Sequence, residues 1–217
     1  QYRQFHKFFD MLLEWNEVMN LTAITDGIEI VQKHFIDSLT IVKALDPMDI
    51  DRVIDVGTGA GFPGIPIKIA YPHLEMTLVD SLEKRVKFLN EVIKELGLKN
   101  ITCIHGRAED LGHGELREQF DLCVSRAVAN LATLSEYCVP FVKPNGNFVA
   151  YKSGNMNEEL AAARNAVHML GGEVKQEIAF FLPGTDIPRS LIWIVKEMRT
   201  PQIYPRKAGI PSKQPIE

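Results

Sequence analysis

The 217-residue sequence contains few cysteines and no long apolar segment. Its three cysteines are widely spaced within apolar runs, which argues against a disulfide framework and against a metal site. No stretch of about 18 apolar residues is present, so no membrane-spanning helix is predicted. The first ten residues also lack the apolar segment of a secretory signal. We therefore expect a cytoplasmic protein that requires neither a metal nor a membrane.

The chain also lacks an overall basic charge. Its 24 lysines and arginines are outnumbered by 28 acidic residues, which gives a formal net charge of −4. Proteins that bind nucleic acid usually show a basic domain or a basic patch, so phosphate binding here would depend on local charge. Basic residues are in excess only near the end, where the Pro-rich segment 199–217 lacks any apolar period. We expect this segment to be an extended, surface-lying or partly disordered strap.

The order of apolar patterns predicts one α/β domain. Two amphipathic helices are predicted within residues 1–50, as a helical extension packed on the core. Residues 51–198 then alternate short β-branched runs with helical segments, which is typical of a doubly wound, mostly parallel sheet. The last two runs have no helix between them, which predicts an antiparallel closing pair. The seven predicted strands contain RVIDV, EMTLVD, NITCIH, FDLCVS, GNFVAY, EVKQEIAFFLP and SLIWIVKEM.

A glycine-rich turn follows the first predicted strand, in the sequence VIDVGTGAGFPGIP. Glycine permits positive φ and close approach of the backbone to a ligand. The spacing from Gly59 to Gly64, with Asp80 downstream, also satisfies a weak dinucleotide motif, so NAD must be weighed. Asp55, two residues before Gly57, is typical of S-adenosylmethionine loops instead. The antiparallel closing pair also favours a methyltransferase over a dehydrogenase.

Acidic residues after the second and third strands are the next candidates for cofactor binding. Asp80 ends the second strand, where a carboxylate can accept hydrogen bonds from both ribose hydroxyls. It could instead only cap the helix that follows. Glu109 or Asp110, with nearby backbone groups, could meet the adenine, or could belong to a solvated turn.

Seven segments spread over the whole chain resemble one bacterial family, the small-subunit (16S) ribosomal RNA guanine-N7 methyltransferases, also called glucose-inhibited division protein B. The NLT segment and the glycine loop together are far more specific than the generic cofactor motif. The matching segments are WNEVMNLTAITD, HFIDSL, DVGTGAGFPGIPIKI, VDSLEKRVKFLN, GRAED, SRAVANL and YPRKAGIPSKQPI.

This resemblance implies an S-adenosylmethionine-dependent enzyme that methylates the N7 atom of a specific guanine in 16S ribosomal RNA, within a small-subunit particle. It also implies that Gly57, Phe62, Ala108, Glu109 and Arg126 contact the cofactor. Gly59 and Asp80 are added as cofactor residues from the patterns described above.

The chain lacks the motifs that other nucleic-acid methyltransferases use for chemistry. It has neither the N-P-P-Y/F motif expected for exocyclic amines nor a Pro-Cys nucleophile. Cys103 lies in a predicted buried strand, where cysteine behaves as a small hydrophobe. Attack by the N7 lone pair needs no prior deprotonation, so positioning can supply most of the catalysis. We therefore assign no catalytic residue.

Basic residues are predicted at the carboxyl edge of the sheet, where ligands bind in open α/β folds. Arg126, Lys152 and Arg189 follow or precede strands at this edge, and together with the strap they form a patch consistent with RNA. Lys152 and Arg189 are therefore candidate substrate-binding residues. We expect the strap to serve RNA rather than the fold. His34 is predicted to be a packed core residue.

Other polar positions and other functions remain open on the sequence alone. The polar residues Asn16, Asn20 and Thr22 could bind RNA or end a helix. A small-molecule methyltransferase, a noncatalytic RNA-binding assembly factor and a dehydrogenase are the alternative functions. An enclosed apolar substrate lid would favour the first, and loss of the cofactor residues would favour the second. A binding titration with NAD against S-adenosylmethionine separates the third.

Overall fold

The computed structural model describes residues 1–126, 128–154 and 156–217. These residues form a seven-stranded sheet in the order β3-β2-β1-β4-β5-β7-β6. Strands β1 to β5 are parallel, whereas β7 pairs antiparallel with both β5 and β6. The predicted doubly wound sheet with an antiparallel closing pair is confirmed. The strands are β1 Arg52–Val56, β2 Glu75–Asp80, β3 Ile101–His105, β4 Phe120–Arg126, β5 Val142–Ser153, β6 Gly172–Phe181 and β7 Pro188–Lys196.

Side chains alternate along each strand, so both faces of the sheet carry apolar residues. Helices cover both of these faces. On β4 and β5, Val124 and Val149 join one apolar cluster, while Cys123 and Ala150 join the other. The first cluster contains the N-terminal helices, and the second contains the last residues of the chain. The helices are α1 Tyr2–Met19, α2 Gly27–Ile30, α3 Asp37–Leu39, α4 Gly64–Ala70, α5 Glu83–Glu95, α6 Ala108–Leu111, α7 Leu131–Cys138, α8 Asn157–Met169 and α9 Ile210–Lys213.

The second N-terminal helix is not a regular α-helix. Between α2 and α3 the backbone widens into a π-helical turn over Val31–Ile36, and a 3₁₀ turn follows over Thr40–Lys43. Turns of the π type are rare and frequently occur at functional sites. Here the turn precedes Asp37, and Lys33, His34 and Asp37 all line the same cavity.

The C-terminal strap differs from the sequence expectation. The strap is docked against α6, α7 and α8, and Thr200 and Tyr204 are buried. Arg117 donates hydrogen bonds to the carbonyls of Thr200 and Tyr204. Arg206 forms an ion pair of 2.6 Å with Glu136, a carboxylate with no solvent exposure. The expectation that this segment does not serve the fold is therefore wrong, because its backbone and its central arginine are bound to the core. Its role in RNA binding stays a prediction.

Candidate active site at the carboxyl edge of the sheet

Two cavities lie at the carboxyl edge of the parallel strands and share Gly57 as a common wall. The larger has a volume of about 570 Å³ and is bordered by Gly57–Ala60, the second N-terminal helix and the end of β5. The smaller, of about 150 Å³, lies between the ends of β1 and β2 and the start of α6. Within the described residues, the two cavities therefore adjoin at the glycine loop.

The glycine loop is fixed by the two carboxylates predicted around it. Asp55 Oδ2 accepts hydrogen bonds from the Thr58 hydroxyl at 2.7 Å and from the backbone N–H of Gly64 at 2.8 Å. Asp80 Oδ2 accepts from the backbone N–H of Gly59 at 2.9 Å. The loop is thus tied to β1 and β2 before any ligand binds.

The two predicted loop glycines have a specific backbone role. Gly57 and Gly59 have φ values of +72° and +61°, which side chains other than glycine rarely adopt. A Cβ on Gly57 would lie 2.5 Å from Val128, whereas a Cβ on Gly59 would meet no atom within 4 Å among the described residues. Gly59 therefore leaves open space for a ligand against the backbone.

Asp80 makes three contacts with protein groups at the end of β2. Its Oδ1 accepts from the N–H of Leu82 at 2.9 Å, in the turn before α5, so it fixes this turn but does not cap the helix itself. Its Oδ2 also has a long contact of 3.4 Å with Arg85. A carboxylate has about four lone-pair positions, and three of them are used here. One position is left for a ribose hydroxyl, and a second hydroxyl could replace the weak contact with Arg85.

The predicted adenine residues line the smaller cavity. Ala108 and Glu109 lie at the start of α6 and are both buried. Glu109 Oε1 accepts the N–H of Gly209 at 3.0 Å, a partner that the sequence did not predict. The smaller cavity is therefore supported from behind by the C-terminal strap. Asp110, the alternative to Glu109, is not among the lining residues.

Arg126 lies in the wall of the larger cavity and is held by the second N-terminal helix. Its Nη1 donates to Asp37 Oδ2 at 2.9 Å and to the Lys33 carbonyl at 3.1 Å, and its Nη2 lies 3.3 Å from His34 Nδ1. The guanidinium also stacks on the Phe62 ring, 5.2 Å from its centroid. Among the described residues, Nε and one hydrogen of Nη2 have no partner. These donors suit a ligand carboxylate, which guanidinium groups commonly bind.

His34 is half-buried at the larger cavity rather than packed within the core. Burial, followed by the charge of Arg126, lowers the pKa of His34 from 6.5 to about 4. A guanidinium can only donate, so Nδ1 accepts and Nε2–H donates to the Thr22 hydroxyl at 2.9 Å. The ring also stacks on Phe62 at 4.7 Å. His34 is therefore a neutral link between the Thr22 loop, Phe62 and Arg126.

The polar N-terminal residues also have defined positions. Asn20 ends α1 in a left-handed conformation, and Asn16 Oδ1 accepts the N–H of Thr22 at 2.8 Å. Thr22 lines the larger cavity, whereas Asn16 and Asn20 do not. Asn16 and Asn20 therefore shape the loop that carries Thr22 to the cavity.

The three predicted basic residues are brought together at the larger cavity, but each is paired with a carboxylate. Asp37 accepts from both Arg126 and Arg189, the latter at 3.0 Å. Lys152 forms an ion pair of 2.6 Å with Glu159. The sequence missed both carboxylates. Asp37 is 89 and 152 positions from its two arginines, and Glu159, seven positions after Lys152, lies on α8 beyond the end of β5, so no helical or strand period links the pair. The edge is consequently less positive than a count of its basic residues suggests.

Three further observations concern Cys103, metal binding and membrane-spanning helices. Burial raises the pKa of the Cys103 thiol to about 12, which agrees with a structural role for this side chain. Over the described parts of the chain, no group of three or more His, Cys, Asp or Glu side chains has the arrangement of a metal site. In the same parts, no helix has the length and apolar character needed to cross a membrane.

Several known proteins are similar to this chain in sequence. A family model described as rRNA small subunit methyltransferase G (GidB) matches residues 1–184. Over 217 residues, the chain is 52% identical to the ribosomal RNA small subunit methyltransferase G of Lachnoclostridium phytofermentans, covering 100% of this chain and 90% of that protein. The protein of the same name from Clostridium perfringens strain 13 is 51% identical over 218 residues, with coverages of 100% and 91%.

Solved structures with low sequence identity share the fold. The YcgJ protein of Bacillus subtilis aligns with a TM-score of 0.57 at 16% identity, over 75% of this chain and 98% of that one. A SAM dependent methyltransferase from Aquifex aeolicus aligns with a TM-score of 0.56 at 17% identity, over 77% and 93%.

Proposed function

Because the chain belongs to the rRNA small subunit methyltransferase G family, we propose that it transfers a methyl group from S-adenosylmethionine to the N7 atom of a specific guanine in 16S ribosomal RNA. The observation that carries this proposal is the pair of cavities that meet at Gly57. The smaller has an acidic wall suited to a nucleoside. The larger falls in the usual range of ligand cavities and is open enough to admit a base as well.

The residues at the two cavities suit the two ends of this cofactor. Asp80 and the α6 residues Ala108 and Glu109 would hold the ribose and the adenine. Arg126 would hold the methionine carboxylate through its remaining donors, with Phe62 beneath the guanidinium. The open space beside Gly59 supports close approach of the cofactor to the loop backbone.

Catalysis would then rest on positioning. When bound, S-adenosylmethionine supplies an electrophilic methyl group. The residues around the glycine loop fix the geometry of approach, an effect worth roughly 7 to 11 kcal/mol in favourable systems. The N7 lone pair is free at neutral pH, so no side chain has to remove a proton. The neutral state of His34 above its low pKa is consistent with a positioning role.

We also propose how the rest of the chain serves this reaction. Residues 1–50 would act as a helical extension that closes the larger cavity, residues 51–198 as the methyltransferase core, and residues 199–217 as a strap that supports the smaller cavity. Lys152 and Arg189 would face the RNA at the mouth of the larger cavity. The substrate would be 16S ribosomal RNA within a small-subunit particle in the cytoplasm.

The decisive experiment maps the methyl group. Small-subunit particles from cells with and without the protein are treated with borohydride and aniline, which cleave RNA at N7-methylguanosine. We expect one cleavage site that depends on the protein. Particles with 7-deazaguanosine at this site should accept no methyl group. Calorimetric titration should show binding of S-adenosylmethionine and none of NAD. Methylation at another atom, or binding of NAD alone, would refute the proposal.

A further inference from the structure

Lys152 and Glu159 form a fixed ion pair in the wall of the larger cavity. Lys152 Nζ lies 2.6 Å from Glu159 Oε1 and donates a second hydrogen bond of 2.6 Å to the Ala129 carbonyl. Glu159 Oε1 also accepts from the backbone N–H of Leu131 at the start of α7. The pair is therefore anchored to α7, to α8 and to the end of β5, and its geometry is set before substrate binds.

The anchoring contacts leave one donor and one acceptor available. An ammonium group has three N–H donors, and two of those on Lys152 are used. All contacts of Glu159 with the described residues are made by Oε1, so Oε2 retains its lone pairs. Both side chains line the larger cavity. A fixed donor thus lies beside a fixed acceptor in the space where the acceptor base must enter.

The chemistry of the proposed substrate matches this arrangement. The Watson–Crick edge of guanine presents one acceptor, O6, beside two donors, N1–H and the 2-amino group. An enzyme that methylates N7 must bring the methyl donor to the Hoogsteen edge, which leaves the Watson–Crick edge available for recognition by the protein. Enzymes that act on an extruded base commonly identify it by hydrogen bonds to its Watson–Crick edge.

We propose that Lys152 and Glu159 identify the acceptor guanine, with Lys152 donating to O6 and Glu159 Oε2 accepting from N1–H and the 2-amino group. This assignment rests on the proposed function. A phosphate suits the pair less well, because the charge of Lys152 is balanced by Glu159 and the free carboxylate oxygen repels anions. Neither objection applies to a neutral base edge that carries both donors and an acceptor.

The test compares guanosine with inosine at the mapped acceptor position. Inosine keeps N7, O6 and N1–H but lacks the 2-amino group. The substrates are small-subunit particles reassembled with 16S RNA that carries either nucleoside, and kcat/KM is measured for the wild type and for Glu159→Gln. The wild type should methylate inosine more slowly by roughly 5- to 150-fold, the range for loss of a specific base contact. Glu159→Gln should lower the guanosine rate similarly and should largely abolish the difference between guanosine and inosine.

Matched controls separate recognition from support of the fold. Glu158→Gln alters the neighbouring exposed carboxylate and should retain wild-type discrimination. Equal factors of loss on guanosine and inosine for Glu159→Gln would overturn the proposal, because they indicate a structural role alone. Loss of S-adenosylmethionine affinity with intact base discrimination would also overturn it. If wild-type enzyme yields no aniline cleavage with guanosine particles, the proposed function itself fails, independently of any variant.

Discussion

Asp37 and Arg126 form an ion pair of 2.9 Å between the second N-terminal helix and the end of β4. The other oxygen of Asp37 accepts from Arg189 on β7. One buried carboxylate therefore orients two arginines that come from different strands, β4 and β7. The position of Asp37 depends on the π-helical turn that precedes it.

Replacing Asp37 should affect both stability and cofactor binding. Asp37→Ala leaves two largely buried guanidinium groups without their acceptor, and we expect a loss of roughly 3 kcal/mol in the free energy of unfolding. Affinity for S-adenosylmethionine should fall as well, because Arg126 loses its orientation. Urea denaturation and calorimetry measure the two effects, with the exposed Asp49→Ala as control. Wild-type stability of Asp37→Ala would show that the pair is energetically unimportant.

Asp80→Ala should weaken S-adenosylmethionine binding by roughly 1.5 to 3 kcal/mol, through loss of a charge-assisted hydrogen bond to the ribose. The same change removes the acceptor for the Gly59 N–H, so the loop should also become less ordered. Asp80→Asn, which keeps one acceptor oxygen, should be affected less. Calorimetry on folded variants measures both affinities. Unchanged affinity in Asp80→Ala would exclude this residue from the cofactor site.

Arg206→Ala should destabilise the protein because it leaves the buried Glu136 carboxylate without its charged partner. We expect a loss of about 3 kcal/mol, near the lower end for buried ion pairs because Arg206 keeps some solvent contact. Lys207→Ala removes a neighbouring exposed charge and should have little effect. Urea denaturation distinguishes them. Equal stability of the two variants would restore the view that the strap is independent of the fold.

Asp55 should make the free energy of unfolding depend on pH. Burial raises its pKa from 3.8 to about 7, so the folded protein binds a proton that the unfolded chain releases. The associated stability is fully present below pH 3.8 and is lost as pH rises through about 7, by roughly 3 to 5 kcal/mol. Asp55→Asn should remove this contribution. The difference between the urea denaturation profiles of the two proteins should therefore change mainly between pH 4 and 7. A constant difference would contradict the buried, proton-binding state.

Single-turnover methylation at saturating RNA and cofactor should be nearly independent of pH from about 6 to 9, because direct attack by N7 requires no general base. The pKa of Asp55, raised by burial to about 7, lies within this range, so Asp55→Asn is measured in parallel. A rise in the methylation rate near pH 7 in the wild type alone would be assigned to ionisation of Asp55 at the glycine loop. A tenfold rise per pH unit in both proteins would indicate a required deprotonation and would contradict direct attack.

The sequence predicted the sheet well because its strands are short apolar runs bounded by glycine and polar residues. The last strands lack an intervening helix, and this one observation was enough to predict their antiparallel pairing. The two loop acids, Asp55 and Asp80, were also predicted, since each ends or lies within a recognisable strand. Local patterns contain this information because strands and turns are local structures.

The partners of the predicted residues were beyond local patterns. Asp37 and Glu136 look like ordinary helical acids in the sequence, yet each binds an arginine from a distant segment. Glu159 binds Lys152 across the junction between β5 and α8, where no regular period relates the two residues. The same limitation explains why the contacts between the strap and the core were not predicted. Its proline content and positive charge are typical of a surface segment, and the sequence does not show that Glu136 and Arg117 bind it. His34 was placed in the core for a similar reason, because its apolar neighbours are visible in the sequence and the cavity is not.

The contact between Asp37 and Arg189 joins residues that are 152 positions apart. Glu109 and Gly209, behind the smaller cavity, are separated by 100 positions. Contacts this distant close loops of 100 residues or more, and such contacts form slowly during folding. The larger cavity lacks Arg189 until β7 has joined the sheet, and Glu109 in the smaller cavity lacks its contact with Gly209 until the strap has docked. A ligand that needs both cavities therefore binds only the fully folded chain, and its binding free energy adds to the global free energy of unfolding.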